Sequence, residues 1–176
     1  MTKRDIALVF ISILLALLTL SVKYVYLGGL GRPDLTLGLV CAVGWTCSWP
    51  VTLITAFAVG IIQDLLIGRY IGLSALSLLV AAMTMSGMRG PLNPELALSP
   101  VLAGALSALT SDFAAYLGLL LVKAAVEWGF FLRGILYFDV IWNVVAVLPF
   151  CLLINWISSQ LAGVWPELPG EKEGRV

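Results

Sequence analysis

The strongest constraint in this chain is a succession of long apolar runs separated by short stretches rich in glycine, proline and charge. A helix rises about 1.5 Å per residue, so crossing a hydrocarbon layer of about 30 Å takes about 20 mainly apolar residues. Runs of that order occupy residues 6–22, 51–67, 71–88, 100–122 and 138–157, and a shorter one occupies 35–46. Composition agrees, with 61% of the 176 residues hydrophobic, 11% charged and a mean hydropathy of +1.05. Soluble domains carry about 45–50% apolar and about 25% charged residues. A chain this short cannot hide the excess in one water-soluble core. The expectation is an all-α integral membrane protein with six transmembrane helices, the second one short. The count falls to five if 35–46 is a re-entrant or buried half-span.

The breaks between runs carry turn chemistry. Gly28-Gly29-Leu30-Gly31-Arg32-Pro33-Asp34 reads as a loop, as does Arg89-Gly90-Pro91-Leu92-Asn93-Pro94-Glu95, where the prolines and asparagine cannot continue a helix. Trp45, Trp49 and Pro50 mark a turn at the membrane–water interface, where tryptophan prefers to sit. Residues 123–137 mix Glu127, Trp128, Phe130, Phe131, Arg133 and Tyr137, as expected of a short helix lying at headgroup level. The domain reading is a transmembrane unit over 1–165 and a polar tail over 166–176, expected to be disordered. The basic start followed by an apolar stretch also fits a signal peptide, but no small-x-small cleavage pattern follows, so the first run is read as a retained helix.

Orientation should follow the lysine and arginine bias of the loops. With six spans, Lys3, Arg4, Arg89, Lys172 and Arg175 fall on one side and Lys23, Arg32, Arg69, Lys123 and Arg133 on the other, a tie. Lys3 and Arg4 before the first helix tip the reading towards cytoplasmic termini.

Composition also excludes chemistry. There is no histidine, which removes histidine acid–base catalysis, Ser-His-Asp triads and histidine-ligated zinc or haem. Ten basic and ten acidic residues balance, so the chain lacks the basic footprint of a nucleic-acid binder. Cys41, Cys47 and Cys151 have no C-x-x-C spacing and lie in apolar runs, as small buried hydrophobes do. No P-loop, G-x-S-x-G elbow or paired-carboxylate motif is present, and no cofactor or metal is expected.

Ionisable groups inside a bilayer cost roughly 2.5–3.5 kcal/mol near a helix centre on insertion scales, so they are paired or functional. Asp112 falls near the middle of the fifth run, after Thr110 and Ser111, and Asp64 falls in the last third of the third, after Gln63. Ala56, Gly60, Asp64, Gly68 and Gly72 recur every four residues, as do Gly104, Ala108 and Asp112. Residues four apart share one helix stripe, and small side chains there let another backbone approach closely. That neighbour belongs either to this chain or to a partner. Asp64 either reaches headgroup water or is held internally, with Arg69 as an ion partner or an ordinary loop charge. Asp112 is expected either to hydrogen-bond a neighbouring helix or to handle a proton or a ligand. Asn143 and Asn155 are expected to make interhelical hydrogen bonds, and Pro149 to loosen the last helix. Asp139 and Trp142 are placed at the mouth of that span.

The segment Gly60-Ile61-Ile62-Gln63-Asp64-Leu65-Leu66-Ile67-Gly68-Arg69-Tyr70-Ile71-Gly72-Leu73-Ser74-Ala75-Leu76 resembles the signature of the MreD family of bacterial rod-shape proteins, a G-x-x-x-D-x-x-x-G-x-x-x-G-x-x-A-L stretch joining two middle helices. The likeness extends more loosely to the length, to Pro33-Asp34 before a short second helix, and to Asn143 and Pro149 in the final one. Gly60, Asp64, Gly68 and Gly72 match the motif, while Arg69 departs from the small polar residue expected there. The resemblance implies a non-enzymatic scaffold of the inner membrane with both termini cytoplasmic. Its implied partners are an MreC-like single-span protein and, through it, MreB, RodA and a class B penicillin-binding protein. The family's helix arrangement is similar to the S-components of energy-coupling-factor transporters. That keeps a second expectation open: a small-molecule binding or transport subunit with a mid-membrane pocket lined by Asp112, Asn143 and aromatic residues.

Overall fold

All six apolar runs are helical in the computed structural model, which describes residues 3–23, 35–67, 71–92, 98–121 and 136–164. The helices are α1 (Lys3–Lys23), α2 (Leu35–Thr46), α3 (Trp49–Ile67), α4 (Leu73–Met88), α5 (Leu98–Leu121) and α6 (Leu136–Val164). Four of them, α1, α3, α5 and α6, are long and apolar enough to cross a membrane.

The 12 residues of α2 span only about 18 Å and the 16 of α4 about 24 Å, short of the hydrocarbon thickness. For α2, position explains why this suffices. α2 packs against all five other helices and is buried from Thr36 through Gly44. A helix that is apolar on every side belongs inside a core. α2 is therefore a central post shielded by protein, and it needs no lipid-matched length.

The outer surface carries the opposite pattern. Phe10, Leu14 and Leu18 on α1, Leu102, Phe113 and Leu117 on α5, and Leu152 and Trp156 on α6 are all exposed. An exposed apolar surface this continuous is suited to hydrocarbon and not to water.

Several boundaries shift from the sequence reading. α1 starts at Lys3, so Lys3, Arg4 and Asp5 lie in its first turn. Trp49 and Pro50 open α3 instead of forming the turn before it, in keeping with proline's fixed φ and missing N–H being harmless in a first helical turn. α6 runs to Val164, several residues beyond the span expected at 138–157. Of the interfacial helix expected at 123–137, Tyr137 belongs to α6 and the stretch up to 135 lies outside the described residues. The loop at 28–34, Gly68, Arg69, Asn93 to Glu95 and the tail from 165 also lie outside them.

The two ends of the bundle are distinct. Arg4 on α1 donates a 2.7 Å hydrogen bond to the Ser158 hydroxyl on α6, so the first and last helices begin and end side by side. The α2–α3 turn is at that same end, with Arg4 and Asp5 close enough to act on the Cys47 thiol. Chain direction then alternates, and the α3–α4 turn lies at the opposite end.

Candidate functional site

At that opposite end, α4 begins without a capping side chain of its own. Its N-cap is Gly72, with φ at 97°, a left-handed conformation that only glycine adopts without strain. The first N–H groups of any helix lack partners within it. Here Asp64, from the last part of α3, supplies them. Its Oδ2 accepts from the Gly72 N–H at 2.7 Å and the Ala75 N–H at 3.3 Å, and its Oδ1 accepts from the Ser74 N–H at 3.0 Å. The carboxylate is 3% exposed, so it is held by the protein and does not reach headgroup water. The carboxyl group also lies at the positive end of the α4 dipole.

Gly60 makes this reach possible. One turn before Asp64 on α3, a Cβ at Gly60 would run into the Ala75 Cα and come 2.7 Å from the Ala75 backbone nitrogen. The α4 backbone thus lies directly on the bare face of Gly60. At Gly60 the small-residue stripe of α3 is filled by this chain's own α4. Gly104 of α5 is likewise covered, with Val147 of α6 3.0 Å from the position of a Cβ.

A matching cap closes the other end. Arg89, the residue after α4, donates from Nη2 to the Gly44 carbonyl at 2.7 Å and the Cys47 carbonyl at 2.6 Å. Ser86 adds a 3.3 Å bond to the same Gly44 oxygen. α2 has no basic residue in its last turn, so the guanidinium meets orphan carbonyls at the negative end of its dipole. Burial lowers the Arg89 pKa from its ordinary value, yet arginine keeps its charge at neutral pH. Burial also pushes the Cys47 thiol up, the Thr46 hydroxyl and the Arg89 charge opposing only in part. From sequence alone Arg89 reads as the first residue of a loop, with nothing to mark it as a cap.

Asn143 is the third tie. It is 2% exposed, and its Nδ2 donates to the Gly104 carbonyl at 2.8 Å, joining α6 to α5 as expected. Asn155 does not follow that expectation, since it is exposed on α6. Gln63 and Asp112 are both buried. Asp112 lies eight residues beyond Gly104 on α5, about 12 Å along the axis. Asn143 is anchored at Gly104. Side chains of Asp139 and Trp142 lie outside the described residues.

Among the described residues, no group of three or more Cys, Asp or Glu side chains is placed to hold a metal. Comparisons of the chain with family models, curated proteins and solved structures returned no match.

Proposed function

We propose that this chain is a non-enzymatic membrane scaffold of the bacterial cell-elongation machinery, the role its resemblance to the MreD family implies. The observation that supports it best is the Asp64 cap on α4. Three matching positions of the family-like motif, Gly60, Asp64 and Gly72, serve one structural unit: a close helix pair, the carboxylate that ties it and the left-handed turn that closes it. A rigid helical hairpin gives a single-span partner a fixed surface at low ordering cost. In this reading the docking partner is an MreC-like protein in the inner membrane, both termini of the chain are cytoplasmic, and contact is made by the outer face of α3 and α4, because the inner face is already occupied.

The test is co-purification with the MreC-like partner from a rod-shaped host, alongside measurement of membrane insertion. Asp64→Leu and Gly68→Leu should reduce partner recovery more than they reduce the amount of inserted chain. Full partner recovery with both variants would refute the docking role. Loss of rod form on depletion of the chain is the expected cellular outcome.

A further inference from the structure

α6 is the least covered of the four long helices. Only 17% of its apolar span, Asn143–Leu161, is buried, against 33–44% for the spans of α1, α3 and α5. Asn143, Val147 and Ile154 face inward, on the side where α6 meets α2 and α5. On the opposite side Val145, Leu148, Leu152, Asn155 and Ser159 are all exposed. Their spacing alternates three and four residues. At 3.6 residues per turn that keeps them in one stripe about 80° wide. Alternation of this kind is the pattern of a seam between two parallel helices.

One member of the stripe is out of place against lipid. Asn155 is three residues, about 4.5 Å along the axis, from the middle of the apolar span, so it lies at hydrocarbon depth. Ser159 satisfies its own hydroxyl by donating to the Trp156 carbonyl at 2.7 Å. The Asn155 amide makes no hydrogen bond among the described residues. No water reaches that depth, and an amide side chain there is met by another helix.

We infer that this stripe is the interface of a parallel dimer, in which Asn155 of one copy pairs with Asn155 of a second. Copies inserted in the same direction hold Asn155 at the same depth. A two-fold axis along the membrane normal then brings the two amides together with no change of register. The amide also matches itself in charge. Its N–H end is partly positive and its oxygen partly negative, and the two-fold axis sets each against the other. No lysine, arginine, aspartate or glutamate shares the stripe, so nothing in it repels a second copy. A single polar residue in such a seam fixes register and the number of strands, at some cost in stability. The surface is separate from the α3 and α4 face assigned to the single-span partner, so either reading can fail without the other.

Counting copies by single-molecule photobleaching tests the dimer, using the full chain with one fluorescent protein at its C-terminus in dilute lipid vesicles. The native chain should dimerise. Asn155→Leu should weaken association about 5–30-fold, the range for an interhelical amide bond in lipid. Asn155→Gln keeps the amide and should retain most of the affinity. Leu14→Ala, on the exposed face of α1, should change nothing. Asn155 is exposed in the single chain, so Asn155→Leu should unfold in dilute detergent at or above the native temperature. A native chain that stays single in vesicles would overturn the proposal, and Asn155 would then serve a different membrane protein. A dimer equally strong with Asn155→Leu would overturn it too, because the copies would meet elsewhere.

Discussion

The N–H of Gly72 lies 2.7 Å from Oδ2 of Asp64, a carboxylate eight residues earlier on the preceding helix. A helix N-cap is ordinarily the residue just before the helix, reaching forward to its own first N–H groups. Here that position holds a glycine with no side chain, chosen for its backbone, and the capping function has moved to the neighbouring helix. The cap therefore closes α4 and fastens α4 to α3 in one set of bonds.

That division of labour separates two glycines that look alike in the sequence. At Gly60 the constraint is space, so Gly60→Ala should destabilise the bundle by about 1–3 kcal/mol, the usual range for overpacking. Gly87 on α4 is the control. A Cβ there meets nothing within 4 Å, so Gly87→Ala should be neutral or stabilising by about 0.5–1 kcal/mol, as expected inside a helix. Thermal unfolding of the two variants side by side reads the difference in sign.

At Gly72 the constraint is conformation. A Cβ would meet nothing within 4 Å, yet φ is 97°. Gly72→Ala should cost about 1–2 kcal/mol, the left-handed penalty for an L-residue. Gly72→Asn should cost less, because asparagine tolerates that region. Equal losses for the two variants in the same unfolding assay would show that contacts matter there and not the backbone.

Arg89 should guard the α2–α3 turn. Arg89→Gln removes the charge from the Gly44 and Cys47 carbonyls and should cost about 1.5–3 kcal/mol, the range for a hydrogen bond to a charged group. Arg89→Lys should recover part of it, losing the planar fork but keeping the cation. Cys47 reports on the same turn without any introduced cysteine. Its buried thiol should react slowly with maleimide in the native chain and faster in Arg89→Gln.

The Cys47 thiol also sets a pH dependence. Its folded-state pKa is raised above the ordinary 9.0, so the folded chain holds that proton more tightly than the unfolded chain does. The linked stability is fully present below pH 9.0 and is lost as pH rises through the folded value. Tm should therefore decline above pH 9 in the native chain, and Cys47→Ala should decline less steeply over the same range.

How much of this was legible beforehand depended on whether it was local. Residues 35–46 stood out as an apolar run too short to cross a bilayer, and α2 has those bounds because its burial within the bundle removes the length requirement. The Asp64 and Gly60 spacing was visible as a stripe, but its occupant depends on which helix folds back, and a stripe carries no address. Asn143 and Asn155 were equivalent in one dimension. In the fold the first meets Gly104, 39 residues away, and the second faces outward on the same helix. Arg89 was missed because its partners are 42 and 45 residues distant and are backbone carbonyls, which leave no trace in residue type.

The central claim is that the costly polar side chains of this bundle hold helices together, with Asp64 foremost. The most direct measurement is the unfolding temperature of detergent-purified Asp64→Asn and Asp64→Leu against the native chain. Asparagine keeps one acceptor oxygen for the α4 N–H groups and leucine keeps none, so the predicted order is native, then Asn, then Leu, with the leucine variant losing about 2–4 kcal/mol. An Asp64→Leu bundle that unfolds at or above the native temperature would contradict the account.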